Sequence, residues 1–378
     1  MYFDGVDCIE LSQAYGTPLY VVSECAVRER CAQIRSVSGG ELFAALKAGV
    51  DPSLILFHGN AKTEEELDFA IQSRVGRIVS DNLFEVGEVE RIAAKHGLRQ
   101  GLLYRITPGV DSHTHKFIST GSLDSKFGIP LDPSVRDSYL RPVLTSPHID
   151  FRGFHFHIGS QLHDHLAAAK ISLDFLFDVR SAFGFVAPEL NLGGGFGINY
   201  TSADKAQPLS YFLNPLMELV QAECAKAGFP CPKITIEPGR WIVGEAGITL
   251  YTVRSVKTIP GIRTYVGVDG GMADNIRPAL YDAKYHALVA NKAALPAEAL
   301  VTVAGKCCET GDILIKDIRL AYPQPGDVLV VFSTGAYNHS MASNYNRIPR
   351  PAVAMTANGS HRLSVRRETY EDLVARER

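Results

Sequence analysis

The chain has 378 residues, of which 46% are hydrophobic and 21% charged, and its formal net charge is −3. This charge balance gives no support to nucleic acid or an anionic membrane as a partner. No stretch approaches about 18 consecutive apolar residues, and the first residues lack the pattern of a secretory signal, so we expect a cytoplasmic protein. The seven cysteines form no CxxC pair, which favours free thiols over disulfides or a zinc site.

The first two thirds of the chain alternate strand patterns with helix patterns. Residues 53–60 read as a strand closed by Gly-Asn, and residues 62–76 read as a helix that begins with a Thr63–Glu66 capping box. Further strand patterns run into glycine-rich or polar ends at 76–82, 101–109, 151–160, 188–197 and 233–241. Strands that alternate with helices indicate a (β/α) barrel or a doubly wound parallel sheet.

The pattern changes after about residue 245, where strands and turns continue with little helix. A chain of this length also exceeds what one small core needs. We therefore predict three parts: residues 1–20 as an N-terminal strand region that joins the β domain, 21–245 as a (β/α)8-type barrel, and 246–378 as a β-sandwich or β-barrel domain.

The ends of the predicted barrel strands carry the residues with chemical potential, because the βα loops of a barrel open on one face. Gly193, Gly194 and Gly195 follow a strand directly. Backbone N–H groups without Cβ atoms wrap an anion such as phosphate. A flexible turn explains the same triplet.

His155 and His157 are two residues apart and are expected to lie on one face of their strand. They fit either a metal-binding pair or an imidazole against an organic cofactor, with Ser160 at the phosphate. For His155 a core histidine is a further alternative. A metal site needs ligands from other strands, and we find no comparable group at the other strand ends, so we predict no metal.

Glu237 ends another strand and is followed by a Pro-Gly turn and Arg240. A carboxylate that faces a pyridine nitrogen keeps the nitrogen protonated, and an arginine there binds phosphate or carboxylate in two-pronged fashion. A structural Glu–Arg pair is the alternative. In the β-rich half, Arg277 and Tyr281 are four apart, so they lie together if that segment is helical.

Together these motifs resemble the diaminopimelate decarboxylases, within the pyridoxal-phosphate enzymes of alanine-racemase-like fold. The resemblance runs from residues 15–22 to 366–373, and its most specific segments are "THKFISTGSLDSKFGI" (114–129), "GMADNIRPALY" (271–281), "CETGD" (308–312) and "GAYNHSMASNYN" (335–346). The last two favour the diaminopimelate branch over the ornithine and carboxynorspermidine branches.

The resemblance implies two sets of site residues. The residues implied to bind pyridoxal phosphate are His157, Ser160, Gly193, Gly194, Gly195, Glu237, Gly239, Arg240 and Tyr337. The residues implied to bind substrate are Arg240, Arg277, Tyr281, Glu309 and Tyr337. His157 would stack on the pyridine ring and Glu237 would pair with its nitrogen. Cys308, a candidate proton donor, and Glu309 would act in the partner's site, which implies a homodimer.

The resemblance also exposes a gap. In this family the lysine that binds the cofactor covalently ends the first barrel strand, in a "YAVKAN"-like segment, and a helix and a second strand follow it. Here the family's start leads to Arg35, and Ser36 then matches a later family segment, so a β-α-β length of roughly 30 residues or more is absent. Arg35 itself stands about where the family has an aspartate under the cofactor.

Two lysines are candidates to replace the missing anchor. Lys47 precedes Gly49, which reads as the C′ glycine of a helix, so we expect a surface residue in a last helical turn. Lys62 follows a predicted strand and is better placed. The main functional prediction is decarboxylation of meso-2,6-diaminopimelate to L-lysine and CO2. Two alternatives remain open: an impaired, inactive or binding paralogue of this family, or a related carboxynorspermidine-type decarboxylase.

Overall fold

The computed structural model describes residues 1–30, 36–37, 39–109, 126–159 and 165–378. The chain divides into two compact units. The barrel unit comprises residues 33–197 and 207–238, and the β-rich unit comprises residues 1–32, 198–206 and 239–378. These boundaries differ from those predicted at residues 20 and 245. The structure also assigns the short segment 198–206 to the β-rich unit, which no sequence pattern indicates.

The barrel unit is built on a parallel sheet flanked by helices. In the order in which they pair, its strands are Lys233–Glu237, Glu189–Gly194, Ile149–His155, Gln100–Thr107, Arg77–Ser80, Leu56–Phe57 and Ser36–Val37. A further short strand, Ile129–Pro130, pairs with Gln100–Thr107. The helices are Gly39–Lys47, Glu64–Gln72, Leu83–Lys95, Pro133–Thr145, Leu166–Phe183 and Leu209–Ala227. This confirms the predicted barrel-type architecture.

Local sequence explains where these helices begin. Thr63 Oγ1 accepts a hydrogen bond from the Glu66 N–H at 3.2 Å, and the Glu66 carboxylate accepts one from the Thr63 N–H at 2.9 Å. The predicted capping box is therefore present. The following helix turns Leu67 and Ile71 into the core, which fixes the helix against the sheet.

The sheet of the barrel unit ends in two strands that pair on one side only among the described residues, Lys233–Glu237 and Ser36–Val37. The first edge is visible in the burial of its side chains. Ile234 and Ile236 are only partly buried, whereas Leu190 and Leu192 on the neighbouring strand are 0% and 1% exposed. The described path thus has seven strands where a (β/α)8 barrel has eight, as expected for a chain that lacks one strand–helix unit.

The β-rich unit has a larger, mostly antiparallel sheet. Its strands, in order of pairing, are Ile313–Leu320, Ala299–Ala304, Arg263–Val268, Gly247–Ile259, Leu19–Ser23, Ala352–Ala357 and Ser360–Val365, with Val328–Val331 and Ala287–Val289 paired beside them. A two-stranded sheet joins Tyr2–Phe3 to Val6–Asp7. The helices of the β-rich unit are Cys8–Tyr15, Glu24–Arg30, Gly239–Val243, Arg277–Tyr281, Asn338–Met341 and Tyr370–Val374.

The N-terminal strand belongs to this second sheet. Leu19–Ser23 pairs antiparallel with Gly247–Ile259 and parallel with Ala352–Ala357. Its buried residues Leu19 and Val21 pack into the same core as residues of the later strands. Among the helices in the described part of the chain, none combines the length and the hydropathy needed to span a bilayer.

Candidate active site

Three strand ends of the barrel unit converge on one point. His58 follows strand Leu56–Phe57, His155 ends strand Ile149–His155, and Glu237 ends strand Lys233–Glu237. His58 Nε2 lies 2.7 Å from Glu237 Oε1, and His155 Nε2 lies 3.4 Å from Glu237 Oε2. The strands before His58 and at Glu237 stand sixth and first in the pairing order. The sheet is therefore curled enough for its carboxyl edge to enclose a common site.

Glu237 is the charged centre of this group. Burial opposes its ionisation, but contacts with His58 and His155 outweigh burial and hold the pKa of the carboxyl well below its usual range. A neutral imidazole supports the carboxylate by donating an N–H hydrogen bond, as the His155 Nε2 contact allows. Asn191 Nδ2 donates a hydrogen bond to Glu237 Oε1 at 3.0 Å, which fixes the orientation of the carboxylate. Glu237 thus presents a negative charge at neutral pH.

The two predicted histidines are neutral. Burial lowers the pKa of His155 to about 3 and that of His157 to about 4. Gly194 N–H donates to His157 Nδ1 at 3.1 Å, so this nitrogen carries no proton. His157 thus offers an uncharged ring, as a stacking partner of an aromatic cofactor requires.

Gly193 and Gly194 are glycines because neighbouring backbone leaves no room for a side chain. A Cβ on Gly193 would lie 2.2 Å from the Phe156 carbonyl oxygen, and one on Gly194 would lie 2.0 Å from the Glu237 carbonyl oxygen. Gly193 also has φ +66°, in the left-handed region. Packing of the strands alone therefore accounts for both glycines. Both are buried, and their N–H groups donate to Asn191 Oδ1 and His157 Nδ1.

Sequence analysis misses two polar groups near Glu237. Arg105, on strand Gln100–Thr107, is half-buried with its guanidinium 4.2 Å from the Phe127 ring centre. Burial lowers the pKa of Arg105, while Asp81 and Glu237 act in the opposite direction. His58 is the second group, and it stands directly after strand Leu56–Phe57. Contrary to the expectation that the other strand ends offer no metal ligands, His58 and Glu237 place ligand atoms within 4.8 Å of one on His155.

Lys62 does not replace the missing anchor. Its Nζ donates to Gly59 O at 2.8 Å, to Val79 O at 2.7 Å and to Glu85 Oε1 at 2.7 Å. The Lys62 and Glu85 side chains are 2% and 4% exposed. These contacts use all three protons of the ammonium group, so Lys62 is a buried structural cation.

Lys47 lies in the last turn of helix Gly39–Lys47, as predicted. It is exposed, and its Nζ is 5.8 Å from the centre of the Phe43 ring on the same helix. A cation here complements the helix dipole. The described residues place no lysine within ion-pair distance of Glu237, while Lys116 and Arg35 lie outside them.

The β-rich unit holds a second cluster, formed by two buried arginines and three tyrosines. Arg240 and Arg277 are 8% and 6% exposed. Arg277 donates to Tyr285 Oη at 2.5 Å and lies 4.9 Å from the centre of the Tyr200 ring, and Arg240 donates to Tyr200 Oη. Among the described residues, no carboxylate forms an ion pair with Arg277. A buried guanidinium without a carboxylate is costly, so this cluster is suited to bind an anion.

Tyr337 completes the arginine–tyrosine cluster. Its ring centre lies 4.6 Å from the Arg240 guanidinium and 5.7 Å from that of Arg277, although the side chain is 41% exposed. Tyr281 ends the helix that begins at Arg277 and is half-buried, so the predicted helical spacing is confirmed. A Cβ on Gly239 would meet nothing within 4 Å, which assigns that glycine no steric role.

The remaining predicted residues lie apart from this cluster or outside the described chain. Cys308 and Glu309 are both exposed. The Cys308 N–H donates to Asn346 Oδ1 at 2.9 Å, and Tyr345 Oη donates to a Glu309 carboxylate oxygen. Ser160 and most of the segment 114–129 lie outside the described residues.

Comparisons with known proteins identify the family. Residues 25–244 match the family described as "Pyridoxal-dependent decarboxylase, pyridoxal binding domain". Diaminopimelate decarboxylase of Bacillus subtilis is 46% identical, with 98% of this chain and 93% of the relative covered. This chain belongs to the diaminopimelate decarboxylase family. The enzyme of Bacillus methanolicus is 43% identical, with coverage of 96% and 93%. The crystal structure of diaminopimelate decarboxylase from M. jannaschii with L-lysine gives a TM-score of 0.90 at 30% identity, covering 100% and 95% of the two chains.

The same comparison measures the gap. The alignment with the Bacillus subtilis relative spans 410 positions and this chain has 378 residues, so at least 32 positions of the relative (410 minus 378) have no counterpart here. The predicted loss between Arg35 and Ser36 is of this size. The structure agrees, because the described barrel sheet has seven strands in its path.

Pyridoxal phosphate, the cofactor of this family, fits the chemistry of the barrel residues apart from its covalent anchor. Glu237 supplies a fixed negative charge and His157 a neutral ring. His155 Nδ1 is buried and has no hydrogen-bond partner among the described residues, so one more nitrogen at this site is available to a ligand. These residues suit a noncovalently held pyridine ring, while neither Lys47 nor Lys62 is placed to bind it covalently.

Proposed function

We propose that this chain binds pyridoxal phosphate in the barrel unit and catalyses the decarboxylation of meso-2,6-diaminopimelate to L-lysine and CO2. The observation that carries the proposal is the ionised Glu237 at the carboxyl edge of the sheet, held by Asn191 and flanked by His155. When bound, pyridoxal phosphate supplies an electron sink for the bond that breaks, provided that its ring nitrogen stays protonated.

Glu237 performs the decisive electrostatic task in this proposal. Its depressed pKa keeps the carboxylate charged at neutral pH, and a charged carboxylate favours the protonated form of a pyridine nitrogen beside it. His157 would lie against the ring face, where its neutral state avoids repulsion of a cationic ring. Gly195 would offer its backbone to the phosphate, together with Ser160. The Gly193 and Gly194 N–H groups already donate to Asn191 Oδ1 and His157 Nδ1, so these two glycines would contribute through the close packing they allow.

Arg240 and Arg277 would bind a substrate carboxylate in the β-rich unit. Both guanidiniums are buried among tyrosine rings, where a charge-assisted, two-pronged hydrogen bond to carboxylate is strong. Tyr281 and Tyr337 belong to the same proposed set. Such a pair of arginines selects amino-acid substrates over simple amines.

We also propose a cytoplasmic homodimer with shared active sites. Cys308 and Glu309 are exposed in the protomer, as residues that serve a partner's site must be. Glu309 would read the distal ammonium of the substrate, and Cys308 would hold the proton that replaces CO2. The Tyr345 hydroxyl donates to Glu309, which restrains that carboxylate.

A second candidate function is favoured by one specific observation. Neither of the two candidate lysines meets the requirement for a covalent anchor, and the described sheet lacks a strand. On that basis the chain is a family member that binds cofactor and substrate but is impaired in catalysis. The impaired family member and the active decarboxylase have the same predicted binding residues, and they differ in the rate of decarboxylation.

The two candidates separate in one experiment on the full chain. Pyridoxal phosphate is added, excess is removed, and absorbance at about 420 nm is recorded before and after borohydride, followed by an assay of CO2 release from meso-diaminopimelate. Cofactor retention with CO2 release supports the enzyme, and retention without CO2 release supports the impaired member. Failure to retain the cofactor contradicts both.

A further inference from the structure

We propose that His58, His155 and Glu237 of the cofactor-free chain bind one divalent transition-metal ion of the zinc class. This goes beyond the proposed function, because neither the pyridoxal cofactor nor the substrate involves a metal. The three residues come from three different strand ends of the barrel unit. One ligand atom from each lies within 4.8 Å of the others.

The distances suit a common ion. In a tetrahedral zinc site with bonds of about 2.0 to 2.1 Å, two ligand atoms lie about 3.3 Å apart. His155 Nε2 and Glu237 Oε2 are already 3.4 Å apart. His58 Nε2 lies 2.7 Å from Glu237 Oε1, so only a modest opening of this contact is needed to admit the ion.

Both histidines already direct a ring nitrogen at the Glu237 carboxylate. His58 Nε2 lies 2.7 Å from Oε1, and His155 Nε2 lies 3.4 Å from Oε2. A metal ion would replace these two contacts and bind the nitrogen lone pairs, because a histidine that binds a metal carries no proton on the ligating nitrogen.

The carboxylate also has the outer support that metal ligands require. Asn191 Nδ2 donates to Glu237 Oε1 at 3.0 Å, and Asn191 Oδ1 accepts from the Gly193 N–H at 2.9 Å. Such outer contacts orient the first ligands and raise metal affinity. Two imidazoles and one carboxylate favour zinc, cobalt, nickel or iron over magnesium or calcium, and three protein ligands leave a fourth position open.

Occupation of this site excludes the pyridine ring, since both would use the same Glu237 carboxylate. The missing lysine makes the competition more favourable to the metal in this chain than in a relative that binds its cofactor covalently. A metal ion and pyridoxal phosphate should therefore displace each other.

The test is a titration of the cofactor-free full chain with Co2+, followed by visible absorption, and with Zn2+, followed by calorimetry. We expect one ion per chain and a rise in the unfolding midpoint with Zn2+, because an ion that binds only the folded state stabilises it. His58→Phe and His155→Phe should abolish both effects, and Asn191→Ala should weaken binding by about 10- to 100-fold.

Two matched controls keep the test specific. His96→Ala removes a histidine of the same unit that pairs with Asp68, and Cys231→Ser/Cys308→Ser removes exposed thiols; both should leave binding unchanged. No saturable binding, binding that survives His58→Phe and His155→Phe, or binding that is lost with the thiols overturns the proposal. Because no pyridoxal phosphate is present, none of these results bears on whether the chain binds its cofactor.

Discussion

The barrel unit and the β-rich unit differ in what their sheet ends mean. In the β-rich unit the long strand Gly247–Ile259 pairs with three other strands, and its residues Ile248 and Leu250 are 1% and 0% exposed. In the barrel unit strand Lys233–Glu237 pairs on one side among the described residues, and Ile234 and Ile236 are only partly buried. Within the described chain, the β-rich sheet also ends in strands that pair on one side, Ile313–Leu320 and Ser360–Val365. A barrel sheet, however, is expected to close on itself, so its one-sided strands mark a missing partner.

This difference shows which functions depend on the absent segment. The arginine–tyrosine cluster of the β-rich unit needs no residue of the barrel to assemble. In the barrel unit, the curled sheet still brings His58 to Glu237, so these two residues of the proposed noncovalent cofactor site stay together without the absent segment. The chain lacks the strand that carries the lysine. The expected consequences are the loss of the covalent bond to the cofactor and two strand edges of the barrel sheet without a partner among the described residues.

Restoring the missing segment should have the largest effect. We expect that inserting the corresponding strand–helix segment of the Bacillus subtilis relative between Arg35 and Ser36 raises kcat/KM for meso-diaminopimelate by about 1000-fold, equal to about 4 kcal/mol. The assay is CO2 release. The control is the same insert with its anchor lysine replaced by alanine; equal activity of the two inserts would contradict the account.

Removing Lys62 should destabilise the barrel unit strongly. In Lys62→Met the Glu85 carboxylate stays buried without its cation, which costs about 3 kcal/mol in the free energy of unfolding. Urea unfolding measures this. Lys47→Ala, in an exposed helical turn, should change stability by less than about 0.5 kcal/mol. A Lys62→Met variant that loses the cofactor but not stability would show that Lys62 is the anchor after all.

Removing Arg277 should impair substrate binding and spare the cofactor. We expect Arg277→Met to lower kcat/KM by about 30-fold, since a hydrogen-bonded charged contact contributes about 2 kcal/mol, with retention of pyridoxal phosphate unchanged. Steady-state kinetics and cofactor absorbance separate the two effects. Arg362→Met, which removes an exposed arginine paired with Glu24, is the matched control. Loss of cofactor in Arg277→Met alone would contradict the assignment.

The two units should respond to pH in opposite directions. Burial lowers the pKa of His155 to about 3. Below about pH 6.5 the unfolded chain therefore binds a proton at this histidine and the folded chain does not. The free energy of unfolding is highest above about pH 6.5 for this group, and it decreases as pH falls toward 3. Burial raises the pKa of Asp274, in the β-rich unit, to about 7, so its stabilisation, present below about pH 4, is lost as pH rises through 7. Each group contributes up to about 1.4 kcal/mol per pH unit.

Urea unfolding across this pH range, in buffer with a metal chelator, tests both slopes. His155→Gln should remove part of the loss of stability toward acid, and Asp274→Asn should remove part of the loss toward neutral pH. Variants whose pH profiles match that of the unmodified chain would show that neither group is linked to stability in this way.

Sequence patterns predict the parts of the site that depend on local structure. The Thr63–Glu66 capping box, the last-turn position of Lys47 and the helical spacing of Arg277 and Tyr281 need only neighbours along the chain. Glu237 was recognisable because a charged residue ends an apolar strand.

The parts that sequence reasoning misses depend on the curvature of the sheet or on distant partners. His58 meets Glu237 because the sheet bends strands that are far apart in its pairing order toward each other. Lys62 is unavailable because Glu85, 23 residues later, pairs with it inside the unit. No periodicity in the sequence encodes either contact.

The most direct test of the central claim, that the site around Glu237 holds the cofactor without a covalent lysine, uses the chain loaded with pyridoxal phosphate and Glu237→Gln beside it. The exposed variant Glu65→Gln is the control. CO2 release from meso-diaminopimelate is measured with and without added cofactor, and borohydride-treated protein is analysed for modified lysines. The account predicts cofactor-dependent CO2 release that Glu237→Gln abolishes, and no cofactor on Lys47 or Lys62. Activity that survives Glu237→Gln, or a cofactor attached to either lysine, would contradict it.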